Sequence, residues 1–188
     1  MSHVAKDTAK QDLRAAAYAR RKAAHEAGQD AQAQAHLKTA LAPYEGRSLA
    51  GYMPIRTEVS PLPVMASWAQ QCPVCVPVIR GADQPLTFRS WTPDTEMIPG
   101  KFGAAVPASG ALIVPQILIV PLVAYDLRGA RLGYGGGYYD RTLERLRAAS
   151  PTIAIGFAYG AQCADELPQE PTDQPLDMIV TERGVVTF

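Results

Sequence analysis

Four short apolar runs constrain the fold more than any other feature of this chain. "VCVPVI" (residues 74–79), "QILIVPLV" (116–123), "TIAIGFAY" (152–159) and "LDMIV" (176–180) carry almost no polar residue in either register of a two-residue period. A strand with one face in water alternates apolar with polar side chains, and a strand covered on both faces has no need to. The runs are also too short for helices of ordinary length. Ahead of the first run "PLPVMASWAQ", and between the second and third "YYDRTLERLRAAS", have helical periodicity, and alternating strands and helices build a mainly parallel sheet. "RSLAGYMP" supplies a further strand, and "LTFRSW" is an antiparallel excursion. Ahead of the first strand two helices are predicted. One runs from Thr8 to Gly28, with "TAKQ" as a capping box and Thr8 at the N-cap; the other starts after Asp30 and ends before Pro43. The predicted architecture is a three-layer α/β/α domain spanning 1–188, with two N-terminal helices. Gly100 to Pro115 is read as a surface loop. Sixteen prolines, many bracketing strands, favour fixed connections.

Charge narrows the function classes. Eighteen Lys+Arg balance eighteen Asp+Glu, so the bulk field that draws proteins to nucleic acid or anionic lipid is absent. The first 38 residues hold seven Lys+Arg and four Asp+Glu, a difference of three, too little for an electrostatic footprint on nucleic acid. No apolar run approaches the roughly 18 residues of a membrane span, and the polar start does not resemble an export signal. A cytoplasmic protein is expected, with Cys72, Cys75 and Cys163 as reduced thiols. "CPVC" has CxxC spacing, but no second pair follows, so these are read as ordinary strand cysteines.

The chemistry concentrates in "RLGYGGGYYDR", residues 131–141, between a buried strand and an amphipathic helix. Backbone N–H groups at a helix start cradle phosphate, and glycine lets the backbone approach the anion. Neither common phosphate fingerprint fits. No glycine is followed by Lys and then Ser or Thr, and GxGxxG meets Tyr138 where its third glycine belongs. Arg128 and Arg131 can reach phosphate oxygens from before the turn, and Arg141 from after it. Asp140 is placed to hold magnesium, which binds triphosphates through one or two carboxylates plus phosphate oxygens. The same residues also suit a tight strand-to-helix crossover that the charges merely solvate.

"VPLVAYDLRGARLGYGGGYYDR" (residues 120–141) resembles the signature of the 5-formyltetrahydrofolate cyclo-ligase family over its whole length. The resemblance extends to "KQDLR", "YMPIRTEV", "FRSWTPDTEMIPGKFG" and the stretch from residue 155 to 185, in the family's order. It implies ATP- and magnesium-dependent closure of 5-formyltetrahydrofolate to 5,10-methenyltetrahydrofolate, with release of ADP and phosphate. A monomer without nucleic-acid or membrane partners is expected.

Residue by residue, the resemblance implies ATP contacts at Lys10 and Arg14, which lie four apart on one helix face. It implies further ATP contacts along Arg131, Leu132, Gly133, Tyr134, Gly135, Gly136, Gly137, Tyr138 and Tyr139. Folate contacts fall on Met53 and Glu58, the latter a planar acceptor for pterin N–H groups, and magnesium ligands on Asp140 and Asp177. Tyr138, Trp91 and Phe102 are candidate walls of the folate pocket, and Arg131 and Tyr138 are the candidate catalytic residues. The chain departs from the family at Gln116, often acidic there, and at Ala108, where glutamate is frequent. Other functions compatible with the residues are a kinase or transferase with the same nucleotide turn, and a folate or nucleotide binder without turnover. The three histidines, His3, His25 and His36, are assigned no catalytic role.

Overall fold

The computed structural model describes residues 3–188, with side chains from Lys10 onward. Helices α1 (His3–Glu26) and α2 (Asp30–Leu41) come first, followed by the short strand β1 (Leu49–Ala50) and helix α3 (Leu62–Trp68). Strands β2 (Val74–Val78), β3 (Thr87–Ser90), β4 (Met97–Pro99) and β5 (Ala105–Pro107) follow. The long apolar run makes β6 (Ile117–Pro121), and a hairpin of β7 (Ala124–Tyr125) and β8 (Arg131–Leu132) leads to helix α4 (Tyr138–Ala149). Strands β9 (Ile153–Phe157), β10 (Met178–Thr181) and β11 (Gly184–Thr187) complete the chain.

Seven strands form one sheet in the order β11-β10-β9-β6-β1-β2-β3. The inner five are parallel, while β3 and β11 run antiparallel on the two edges. Both faces are buried, as the apolar runs require. Leu49, Val74, Val76, Ile117, Ile119, Ile155, Phe157 and Val180 pack with Leu37 and Leu41 of α2 and Met65 of α3. The alternate residues Ala50, Cys75, Leu118, Val120, Ala154 and Ile179 pack instead with Leu143 and Leu146 of α4. Successive strand side chains point to opposite faces, so each run feeds two cores and needs no polar position. The three-layer prediction therefore holds. Among the described residues no helix is long and apolar enough to cross a membrane.

Several boundaries differ from the sequence reading. Helix α1 begins at His3 rather than Thr8, so Thr8 lies inside the helix and not at its N-cap; the Thr8 side chain lies outside those described. "RSLAGYMP" contributes only two strand residues before Gly51. The stretch from Gly100 to Pro115 contains a strand of the β4–β5 hairpin rather than loop alone. The β7–β8 hairpin and the edge strand β11 were not predicted, since two-residue strands and a terminal edge carry little periodic signal.

Leu143 is fully buried between α4 and the sheet. Leu143→Ala is expected to destabilise the fold by about 2–5 kcal/mol, the range for truncating a leucine in a packed core. Urea unfolding followed by circular dichroism measures it, and a loss below about 1 kcal/mol would mean that α4 does not depend on this contact.

Candidate active site

Parallel α/β sheets present ligands at the carboxyl ends of their strands, and the reactive side chains collect at that edge here. Helix α1 supplies one wall. Its Lys10, Arg14, Ala17, Arg21 and Ala24 recur at i, i+4, i+7, i+11 and i+14, which puts them on one face. Ala17 and Ala24 are buried, and Ala17 packs against Val123, Ala124, Ala130, Leu132 and Leu167. The small alanines let α1 approach closely, and the cations between them meet oxygen acceptors. Lys10 Nζ donates to Glu170 Oε1 at 2.6 Å, and Arg14 Nε donates to the Gly133 carbonyl at 3.0 Å. Arg21, only 1% exposed, donates from Nε to Thr57 Oγ1 at 3.1 Å and from Nη1 to the Tyr134 hydroxyl at 2.6 Å.

The loop after β1 brings Glu58 to the same place. Glu58 is 6% exposed. Its backbone N–H donates to the Ile55 carbonyl at 3.1 Å, and its Oε2 accepts the Ile55 N–H at 2.9 Å. Arg56, inside this tight turn, has φ +55°, a conformation a non-glycine residue adopts only when its surroundings hold it there. Glu58 Oε1 accepts a hydrogen bond from Tyr134 Oη. Burial pushes the Glu58 carboxyl above the ordinary range, opposed by the Tyr134 hydroxyl, the Ile55 N–H, Arg21 and Arg56. Met53 is half-buried on the rim of the core beside this loop. Tyr52 is buried beneath it, donating to the Val59 carbonyl at 2.6 Å.

The glycine turn closes the group. Gly135 and Gly137 have φ of +96° and +61°, which only glycine adopts without penalty. Gly137 is the N-cap of α4, and no side chain caps that helix, so its first N–H groups remain available to an anion. Leu132 is buried under the hairpin. Arg141 folds back so that Nη2 donates to the Gly136 carbonyl at 2.6 Å, with its guanidinium 5.3 Å from the centre of the Tyr138 ring. Phe102, 72% exposed, lies 6.3 Å from the same ring. Burial raises the Tyr139 phenol well above its usual range, with Glu58 adding to the rise and Arg131 opposing it.

Arg131 does not stand free beside the turn. Its side chain is 5% exposed; Nη1 donates to the Gln174 carbonyl and Nη2 to Asp140 Oδ1 at 2.6 Å. Asp140 Oδ1 also accepts the Gln174 N–H at 3.0 Å. Asp140 is thus held on one oxygen, and among the described residues Oδ2 has no hydrogen-bonding partner. A single oriented carboxylate fits magnesium in the way it usually meets nucleotides, with phosphate and water supplying the remaining ligands. It does not fit a cage of protein ligands, and among the described residues no three His, Cys, Asp or Glu side chains converge.

The structure does not bring every predicted residue here. Arg128, read as a phosphate contact, pairs with Asp126 at 2.9 Å and Glu166 at 2.8 Å and so braces the β7–β8 turn. Trp91, Gln116 and Asp177 lie at the opposite edge, where the parallel strands begin. Trp91 is buried in the core, its N–H on the Val74 carbonyl. Gln116 Oε1 accepts the Ser48 N–H at 3.2 Å, so the acid missing there has no bearing on Asp140. Asp177 Oδ2 accepts the Ala154 N–H at 2.7 Å and pairs with Arg147 at 2.8 Å. Conversely, Arg21 and Thr57 belong to the site and were missed. The signal for Arg21 was present: it continues the Lys10–Arg14 face two turns on, separated by alanine.

The 5-formyltetrahydrofolate cyclo-ligase family model matches residues 4–182. The 5-formyltetrahydrofolate cyclo-ligase of Haemophilus influenzae is 37% identical over 72% of this chain and 76% of its own. That of Mycolicibacterium smegmatis is 31% identical over 95% and 97%. Among solved structures, the 5,10-methenyltetrahydrofolate synthetase of Aquifex aeolicus superposes with a TM-score of 0.78 at 28% identity, covering 95% of this chain and 92% of its own.

Because Glu58 binds protons more readily when folded than when unfolded, its contribution to stability falls as pH rises from the ordinary carboxylate value through its raised folded one. Glu58→Gln removes that titration. The stability of the variant relative to the parent should therefore increase with pH across this window and level off above it. Urea midpoints at a series of pH values give the difference, and a pH-independent difference would show that burial does not govern Glu58.

Proposed function

The chain belongs to the 5-formyltetrahydrofolate cyclo-ligase family, and from that premise we propose that it converts 5-formyltetrahydrofolate and ATP to 5,10-methenyltetrahydrofolate, ADP and phosphate. One observation carries the assignment of the site. The carboxylate suited to a pterin, Glu58, is hydrogen-bonded to Tyr134, a residue of the glycine turn suited to a triphosphate. Both substrates would therefore meet across one side chain.

In this reading the phosphates lie on the uncapped start of α4 and the glycines before it, with Lys10, Arg14 and Arg141 around them. The pterin lies against Met53, with Glu58 accepting from its paired N–H groups. The formyl oxygen attacks the γ-phosphorus and ADP leaves, giving an iminium phosphate. N10 then closes on the activated carbon and gives up its proton, and the phosphate departs with the former formyl oxygen and can carry that proton away. A formamide is a poor electrophile, and phosphorylation turns its oxygen into a leaving group. The protein contributes alignment and charge rather than a covalent nucleophile. Arg131 holds Asp140 in place, and Asp140 would hold magnesium, which neutralises phosphate charge when bound. Asp177, at the far edge, is not part of this arrangement. The proposed setting is a cytoplasmic monomer.

Incubation of the protein with ATP, magnesium and 5-formyltetrahydrofolate should produce the near-ultraviolet absorbance of the methenyl product, and omission of ATP should abolish it. No product under complete conditions would overturn the reading. Arg131→Ala, which releases Asp140 from its partner, is expected to lower kcat/KM roughly 10- to 100-fold, the range for losing a group that orients a metal ligand, and unchanged kinetics would remove Arg131 from the site. Asp140→Asn should shift the magnesium dependence of the rate to higher concentration; an unaltered curve would exclude Asp140 as a ligand.

A further inference from the structure

The reaction as derived leaves the most deeply buried cation of the site without a task. Arg21 lies in α1 with its guanidinium carbon 5.3 Å from the centre of the Tyr18 ring and 5.8 Å from that of Tyr134. A buried charge persists only where it is paired and hydrogen-bonded. Nε is used by Thr57 and Nη1 by Tyr134, while among the described residues Nη2 has no hydrogen-bonding partner. Among the described residues the one carboxylate paired with this guanidinium is Glu58, whose Oε1 is 3.9 Å from Nη1. That is too far for a hydrogen bond and close enough for an ion pair. The Tyr134 hydroxyl bridges the gap, accepting from Arg21 and donating to Glu58.

Resting on the folate reading of Glu58, we propose that Arg21 is a positioning residue for the pterin, keeping Glu58 ionised and directed as an acceptor both across space and through the Tyr134 hydroxyl. An acceptor for two N–H donors must be a carboxylate, since a protonated carboxyl presents a donor on one oxygen. Burial works against that state at Glu58. The groups facing it are Arg21 from α1, Tyr134 from the glycine turn, Tyr139 from α4, and Tyr52 and Arg56 from its own segment. The tyrosines are neutral, their phenols raised by burial. Of the two cations, Arg56 is exposed and screened by solvent. Arg21 is buried, so its charge acts undiluted.

A purely structural pin between α1 and the turn would leave the protonation of Glu58 unaffected, which makes the two roles separable. Titration calorimetry of the full chain with 5-formyltetrahydrofolate, without nucleotide, at neutral and progressively acidic pH is the measurement. It is made on the parent protein, Arg21→Gln, Arg21→Lys and Glu58→Gln, with folding checked by circular dichroism. Arg21→Gln should weaken binding roughly tenfold at neutral pH, the scale of a hydrogen bond to a charged group. Its loss of affinity on acidification should begin at higher pH than in the parent. Arg21→Lys, which keeps the charge, should leave that acid limb in place. A folded Arg21→Gln variant with parental affinity and acid limb would overturn the proposal. If that variant does not fold, Arg21→Met, which removes the charge and keeps an extended side chain, decides: a limb displaced to higher pH supports the proposal, and an unmoved limb overturns it. Weakening by Glu58→Gln with no effect of Arg21→Gln would sink this inference alone, whereas a parent protein that binds no folate would remove the folate reading with it.

Discussion

A helix that turns cations inward must find oxygen acceptors along that whole face, and the docking of α1 depends on this condition. Arg14 takes a carbonyl of the glycine turn, Lys10 takes Glu170, and Arg21 takes a threonine and a tyrosine from two different loops. None of these acceptors belongs to a regular element that would hold it in place alone. The loop after β1 and the turn before α4 are therefore positioned by the same helix that they anchor. The alanines at positions 17 and 24 make this possible, because a larger side chain at either would lift the helix off and leave buried guanidinium unsatisfied.

The sheet was legible in the sequence because its signal is redundant. Each parallel strand is apolar on both faces, and the clusters on the two sides divide the residues of every strand between them. No single substitution obscures such a pattern. The glycine turn was equally visible, since three glycines between a buried strand and an amphipathic helix have few other uses. What escaped were the two-residue strands, the β7–β8 hairpin above all, whose pairing is set by tertiary contacts around the buried Asp126 rather than by local propensity. That carboxylate accepts from the N–H groups of Arg128 and Ala130 within the hairpin and from that of Leu167, and the last contact, with a residue 41 positions on, leaves no local trace.

Side-chain destinations were less legible than elements. Arg128 and Arg131 both flank the glycine turn in sequence, and proximity in sequence suggested a common task. The hairpin separates them. Arg128 closes on its own turn, while Arg131 faces α4 and Asp140. Asp140 and Asp177 were paired by resemblance alone, but α4 runs antiparallel to the strands beside it. Its first turn lies at the carboxyl edge of the sheet, and the residue preceding β10 lies at the amino edge. A helix of 12 residues covers roughly 18 Å at 1.5 Å per residue, and Asp177 meets Arg147 near its far end. Topology therefore parts two carboxylates that sequence could not place.

The free site has a consequence for how a pterin would enter. Each oxygen of Glu58 already accepts one hydrogen bond, Oε2 from the Ile55 N–H and Oε1 from Tyr134, and each keeps a second lone pair. Binding at Glu58 in the proposed reaction thus adds ring and amino N–H donors to a carboxylate that the Tyr134 hydroxyl continues to hold. A hydrogen bond to a buried carboxylate yields little net energy once water is given up, and a ligand that offers no donor is penalised because it desolvates the remaining lone pairs without pairing them. Affinity must come from burying the flat ring system, while discrimination comes from the carboxylate. A ligand of the same shape with a carbonyl where the pterin carries its amino group would be refused by the same arrangement that admits the folate.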